Sequence, residues 1–328
     1  MKIGINGFGR IGRASLKVIM DAPDLEVVAI NDLMTLDNAA YLLKYDSVYG
    51  IYNKEVSEHG DTLNVGDKKI KYLSIKDPTA LPWKDLQVDT VIESTGLFTN
   101  REDAEKHIHA GAKHVVISGP TKSVDTPTIV HGVNTQDGKV AIFSCASCTT
   151  NNISPLIEIM GRRIGIKKAI LNTTHAYTAS QGLVDGPSKK KPRMGRAAAM
   201  NLVPATTGAA IATTKALPQY KGKFDGISIR TPVVVGSISD ITFVAERHTS
   251  AEEINQILKE EAATDRYKKV VFVSEEPLVS TDIIQSTFAA IVDAEMTRVV
   301  DGDLCKMMAW YDNEWGFTNQ MIRQIQEL

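Results

Sequence analysis

The sequence predicts two domains: a doubly wound α/β domain in the first half and an α+β domain with a mostly antiparallel sheet in the second. Three observations predict it. Through the first half, apolar runs of strand length alternate with helical patterns, the rhythm of parallel strands joined by right-handed crossovers. Gly7, Gly9 and Gly12 form a G-x-G-x-x-G between the first strand and the first helix. In the second half the strand signals lengthen, alternate and follow one another directly, with helices set aside.

Taken in order, KIGIN (Lys2–Asn6) reads as a short buried strand, and residues 11–20 have helical spacing with Ile11, Leu16, Val18 and Ile19 apolar. EVVAIN (Glu26–Asn31) is a second strand, 37–44 a helix and 68–75 an alternating strand. Residues 88–95 and 114–118 are further strands. Between them, REDAEKHIHAGA is a helix with acids early, a histidine late and Gly111 as its stop. KVAIFS (139–144) is an apolar strand running up to the cysteines, and TTNNISPLIEIM after them reads as a helix start. Alternating strands follow at 167–174, 226–231, 237–246, 269–274 and Leu304–Tyr311. SAEEINQILKEEAA opens on Ser250 and Glu253, the S-x-x-E of a capping box, and GFTNQMIRQIQEL is a last helix.

Composition limits what this chain can do. Its 328 residues suffice for two domains, and 43% apolar with 23% charged residues is a globular balance. A formal charge of −2 offers no footing for nucleic acid or an acidic membrane surface, and KKKPR (189–193) reads as a solvated loop. No apolar run approaches the ~18 residues of a membrane span. MKIGINGFGR passes directly into the glycine turn without an apolar h-region, so no signal peptide is expected. Three cysteines make no disulfide framework, which points to a reducing cytoplasm. No second C-x-x-C or H-x3-5-H follows Cys145 and Cys148, so no metal site is expected.

The glycine turn carries the first functional signal. Gly7, Gly9 and Gly12 permit a tight turn and close backbone approach to a pyrophosphate seated on the helix N-terminus. The context is complete: a strand precedes, a helix follows, and Asp32 ends the second strand twenty positions after Gly12. That acid can accept from both hydroxyls of an adenosine ribose and repels a 2′-phosphate, which favours NAD over NADP. The first domain is therefore of the Rossmann type.

FSCASCTTN sets Cys145 and Cys148 in a C-x-x-C, a spacing that serves redox pairs, metal sites and accidental neighbours of one nucleophile alike. Cys148 precedes a helix start, where free N–H groups favour a thiolate, whereas Cys145 lies in the strand-like part. His175 follows an apolar strand in the second half. A cysteine and a histidine brought together suit an activated thiolate, although seven histidines are available.

From end to end the chain resembles the phosphorylating glyceraldehyde-3-phosphate dehydrogenases, through INGFGRIGR, LLKYDSVYG, STGLF, ASCTTN, HAYT, VDGPSKK, RAAA, PATTGAA and WYDNEWG. The resemblance implies Cys148 as nucleophile and His175 as base. It implies NAD held by Gly7, Gly9, Arg10, Ile11, Gly12, Asp32, Lys76, Ser118 and Asn313. It places substrate phosphate and inorganic phosphate on Ser147, Cys148, Thr149, Thr178, Thr207, Gly208 and Arg230. By the same resemblance, residues 1–147, with a C-terminal helix over 312–328 returning to them, form the NAD-binding domain. Residues 148–311 form the catalytic and oligomerisation domain of a cytoplasmic homotetramer. The implied reaction oxidises D-glyceraldehyde 3-phosphate to 1,3-bisphosphoglycerate through a hemithioacetal and a thioester.

Departures from the family pattern are local. Cys145 stands where the family usually has Asn, and Asn152 where it usually has a second cysteine. Cys145 reads as a small buried residue, or as a resolving thiol for an oxidised Cys148. Phe317 replaces a frequent tyrosine, and either Arg193 or Arg196 could supply an extra phosphate contact. Two rivals stay open at this point: an erythrose-4-phosphate dehydrogenase of the same superfamily, and a non-catalytic C-x-x-C redox or binding module.

Overall fold

Ile3 and Ile5 have no solvent exposure, which makes Lys2–Asn6 (β1) an interior strand. The computed structural model describes residues 1–134, 140–188 and 191–328. Lys139 of the KVAIFS strand and Lys189 and Lys190 of KKKPR lie outside the described residues. The chain divides into two compact units. The first contains Met1–Ile129, residues 140–146 and Met321–Leu328; the second contains residues 130–134 and Ser147–Gln320.

In the first unit β1 leads into α1 (Arg10–Ile19), β2 (Glu26–Asn31) and α2 (Leu36–Lys44). A two-residue pair, β3 (Tyr45–Asp46) and β4 (Gly50–Ile51), precedes β5 (Val56–His59), β6 (Thr62–Val65) and β7 (Lys68–Leu73). β8 (Thr90–Glu93), α3 (Arg101–His109), β9 (His114–Ile117) and β10 (Ile142–Ser144) complete it. The eight-stranded sheet has the order β10-β9-β8-β1-β2-β7-β6-β5. From β10 to β7 every pairing is parallel, and β6 and β5 add an antiparallel edge. Sequence reading did not anticipate β5: its Ser57, Glu58 and His59 are exposed, so it has no apolar alternation.

Two of the three glycines of the turn are required by the fold, for different reasons. Gly7 has φ +96°, and a Cβ there would sit 2.6 Å from the Thr95 backbone nitrogen. A Cβ on Gly12 would come 2.1 Å from the Gly7 carbonyl oxygen, so the side-chain-free position is what lets α1 sit against the turn. A Cβ on Gly9 would meet nothing within 4 Å. That glycine faces open space.

The second unit begins with α4 (Cys148–Arg163), whose residues from Thr149 to Ile157 are all buried. β11 (Ile166–Ala176), β12 (Val203–Thr206), α5 (Ala209–Ala216), β13 (Phe224–Thr231), β14 (Ser237–Ala245) and α6 (Ala251–Ala262) follow. β15 (Val271–Ser274), β16 (Ala290–Val300), β17 (Leu304–Tyr311) and α7 (Trp315–Gln326) end the chain. The sheet order is β12-β13-β11-β14-β17-β16-β15, antiparallel except at β11–β13 and β15–β16. Strict alternation along β14 buries Ile241, Phe243 and Ala245 on the face that α4 covers. The opposite face leaves Ile170, Ile227 and Leu304 exposed. The box at α6 is half made. Ser250 Oγ accepts the Glu253 N–H at 3.2 Å, but the Glu253 carboxylate turns to Arg247 and Thr249 instead. Among the described residues no helix is long and apolar enough to cross a membrane.

Gly12→Ala is expected to destabilise the fold by about 3 kcal/mol, from steric overlap with fixed backbone. Gly9→Ala should leave thermal stability nearly unchanged. Melting curves of the two variants check this, and equal midpoints would remove the proposed contact.

Candidate active site

Cys148 is the first residue of α4. Ser147 caps this helix: its Oγ accepts the Thr150 N–H at 3.1 Å, an interaction worth about 1 kcal/mol. The N-terminal N–H groups and the helix dipole favour negative charge at Cys148. Ala146, two residues before, has φ +58°, a costly conformation for a residue with a Cβ; the Ser144 hydroxyl accepts its N–H at 3.0 Å.

His175 lies at the end of β11, next to the strand's last residue Ala176. Its Nε2 is 3.4 Å from Cys148 Sγ. Its Nδ1 is 2.6 Å from the Ala176 carbonyl oxygen, which can only accept, so the ring proton sits on Nδ1 and Nε2 faces the sulfur as a base. Parallel register pairs His175 with Arg230 on β13. Arg230 Nη1 donates to the same Ala176 oxygen at 3.1 Å and lies 3.1 Å from His175 Nδ1.

Electrostatics follow from this enclosure. Burial pushes the Cys148 thiol up, while Arg230 and the Thr149 N–H pull it down. Burial, helped by Arg230, pushes His175 down to about 4. Neither group ionises readily alone. Proton transfer from sulfur to Nε2 creates a net-neutral pair, with the new thiolate facing Arg230 and the helix N-terminus, so the two groups titrate together.

The other predicted anion ligands have partners of their own. Thr149 Oγ1 is 2.9 Å from the Tyr311 hydroxyl, Thr178 Oγ1 is 2.8 Å from Ser180 Oγ, and Thr207 Oγ1 accepts the Ala209 N–H at 3.1 Å. Gly208 is the residue before α5, with open space where a Cβ would stand. Arg230 and Arg193 both line a cavity of about 800 Å³, together with Lys191 and Ser180. Arg196 instead pairs with Asp185 at 2.9 Å. Tyr311 went unnoticed as a site residue in the sequence, though WYDNEWG contains it. Its hydroxyl is 2.8 Å from Thr173 Oγ1, and its ring meets His175 edge-on at 6.0 Å. Ser237 is a second omission: its Oγ accepts the Ala176 N–H and donates to Asn313 Oδ1, each at 3.1 Å. Asn313 Oδ1 also accepts from Gly236, which turns the Asn313 NH2 group away from both partners. Phe317 is buried, as is Asn152, whose Nδ2 donates to the Ala289 and Trp310 carbonyls.

In the first unit a cavity of about 780 Å³ gathers Gly7, Gly9, Asp32 and Lys76 of the predicted cofactor residues, with Thr95 and Phe98 beside them. Gly9 at the N-cap of α1 brings no side chain to that helix end, whose dipole favours an anion such as a pyrophosphate. Asp32 accepts the Phe8 N–H at 2.5 Å and the Met34 N–H at 2.9 Å, which fixes the carboxylate and leaves lone pairs for ribose hydroxyls. These features fit NAD. Arg10 and Ile11 begin α1, and the Arg10 guanidinium is engaged by Asp46 at 2.5 Å. Ser118 follows β9 and donates its N–H to Glu93 O at 3.0 Å. Cys145 is buried with its thiol pushed up by that burial, and all three cysteines are unbridged.

Comparison with known proteins agrees with this geometry. Residues 1–101 match the family described as glyceraldehyde 3-phosphate dehydrogenase, NAD binding domain, and residues 147–313 the corresponding C-terminal domain. A glyceraldehyde-3-phosphate dehydrogenase of Thermotoga maritima is 47% identical over 331 residues, covering 100% of this chain and 98% of that protein. Those of Mycolicibacterium smegmatis and Streptomyces coelicolor are 45% and 44% identical, each over 98% of this chain and 96% of theirs.

His175→Asn should slow alkylation of Cys148 by iodoacetamide at neutral pH at least about tenfold, and move its inflection above the ordinary thiol value of about 8.5. An unchanged pH profile would mean that the two groups do not share a proton.

Proposed function

This chain belongs to the glyceraldehyde-3-phosphate dehydrogenase family, and on that premise we propose that Cys148 and His175 are its catalytic pair. It is an NAD-dependent oxidoreductase that converts D-glyceraldehyde 3-phosphate and inorganic phosphate to 1,3-bisphosphoglycerate. The observation that carries the residue assignment is the 3.4 Å approach of Sγ to an Nε2 whose ring proton is held on the far nitrogen.

The thiolate of Cys148 adds to the aldehyde carbon, and the proton released from sulfur rests on His175 Nε2. The oxyanion of the tetrahedral adduct lies where the first N–H groups of α4 and the imidazolium can donate to it. Nε2 passes that proton to the oxyanion, which gives the hemithioacetal, and takes it back from the hydroxyl as hydride leaves and the carbon is oxidised to a thioester. NAD, when bound, supplies the acceptor for the hydride. In the proposal Gly7, Gly9, Gly12, Asp32 and Lys76 hold it, with the Arg10 and Ile11 backbone, Ser118 and the Asn313 amide. Phosphate then attacks the thioester and Cys148 leaves as thiolate, which keeps the oxidation energy in an acyl phosphate. Ser147, Thr149, Thr178, Thr207, Gly208 and Arg230 supply donors for the two phosphates, and Arg193 joins them from the cavity wall.

The proposal also assigns residues 1–147 and 312–328 to NAD binding and 148–311 to catalysis and assembly, in a cytoplasmic homotetramer. The exposed Ile170, Ile227 and Leu304 on one sheet face support burial against further copies.

NADH formation from glyceraldehyde 3-phosphate should continue past one turnover only with phosphate or arsenate present, and Cys148→Ser should abolish it. Equal turnover without either anion would mean that water takes the acyl group. The phosphate ligands would then be wrong, and the erythrose-4-phosphate alternative would replace this reading.

A further inference from the structure

Glu93 ends β8 with its side chain fully enclosed. Its Oε1 accepts the Thr95 backbone N–H at 2.9 Å and the Thr95 hydroxyl. Its Oε2 accepts from Asn6 Nδ2 at 2.6 Å and from His107 Nε2 at 3.1 Å. The direction of that last bond is set from behind. Trp83 Nε1–H, which can only donate, points at His107 Nδ1 from 3.0 Å, so the ring proton of His107 sits on Nε2. Asn31 Nδ2 donates to Asn6 Oδ1 at 2.7 Å, while Asn31 Oδ1 accepts the Ile75 N–H at 2.8 Å. Thr95 Oγ1 accepts the Leu97 N–H at 3.0 Å. The front of this network, Asn6, Asn31, Ile75, Thr95 and Leu97, is wall of the 780 Å³ cavity; Trp83 and His107, both without solvent exposure, stand behind it.

We propose that Glu93 is a positioning residue for NAD. It touches no cofactor atom, yet it holds two stretches of the cavity wall, Thr95–Leu97 and Asn6 with Asn31, in their binding geometry before the cofactor arrives. Ordering that wall in advance removes an ordering cost from each binding event. A carboxylate accepts at both oxygens and an amide at only one, so Glu93→Gln turns an NH2 group against one pair of donors. Either Thr95 or the Asn6–His107 pair loses its acceptor. Trp83→Phe removes only the N–H that orients His107, at a distance from the cavity.

The inference rests on the assignment of this cavity to NAD, which Asp32→Ala tests separately. Calorimetric titration of the full chain with NAD reads all three variants, with steady-state kinetics alongside. Glu93→Gln is expected to weaken NAD at least about tenfold, with kcat at saturating NAD within about twofold of the parent. Trp83→Phe should weaken NAD less, and the double variant should be no worse than Glu93→Gln, because both act through one network. Lowered melting temperatures with unchanged NAD affinity in Glu93→Gln would overturn the proposal by making the network purely structural. Should that variant not fold, unchanged affinity in Trp83→Phe decides the same point. If Asp32→Ala binds NAD normally, the cavity assignment fails and the inference falls with it. Weakened binding in Asp32→Ala but not in Glu93→Gln removes the inference alone.

Discussion

A thiol and an imidazole taken out of water cannot carry charge singly, and the arrangement of the second unit answers that constraint. Burial opposes a lone thiolate at Cys148 and a lone imidazolium at His175, yet the two ionised together are neutral as a pair. The surrounding elements each supply part of what the pair needs. α4 brings its unsatisfied N–H groups to the sulfur, and β11 delivers the imidazole with its far nitrogen tied to a carbonyl. β13, in parallel register, sets a guanidinium opposite that same carbonyl. A one-residue slip of β13 would turn Arg230 to the other face of the sheet. Sheet register is therefore what brings a guanidinium to the Cys148–His175 pair.

The first unit meets a different demand, close approach of backbone to an anionic ligand. Gly12 lets α1 sit on the turn, Gly9 leaves the approach open, and Gly7 supplies the left-handed bend. Beneath them lies a floor of paired polar side chains rather than an apolar core. A satisfied polar network specifies one arrangement where apolar side chains would tolerate several, which suits a wall that must match a ligand.

Much of this was legible in the residues, and the misses have physical reasons. β1, β2 and β17 were read with the ends that the structure has, because each is an apolar or alternating run bounded by turn residues. Helix α1 begins one residue earlier than its apolar pattern, since Arg10 already has helical backbone without contributing to the buried face. The β5–β6 hairpin and β16 were not seen. β5 is exposed, and the acids Asp293 and Glu295 interrupt β16, whose ladder shifts register between Asp293 and Arg298. Gly9, Gly12 and Asp32 could be assigned from spacing because their chemistry is local. Cys148 and His175 are 27 residues apart, so the place of His175 after an apolar strand singled it out only weakly among seven histidines, and the family resemblance gave it its role. His107 was not singled out within REDAEKHIHAGA. That its ring faces Glu93 and Trp83 depends on how β8 and α3 pack, which no local pattern encodes.

The exposed side chains on the outer face of the second sheet leave apolar surface in water beside the strands of the site. Ile170 and Ile227 sit on β11 and β13, the strands that hold His175 and Arg230, and Leu304 sits on β17 two strands from β11. Under the homotetramer proposed above, mass action would enter the behaviour of the site: dilution would strip the covering copy and expose that apolar face, and a higher concentration of like chains would restore it. On that proposal the working lifetime of the Cys148–His175 pair would scale with concentration, a property that no residue within reach of the substrate confers.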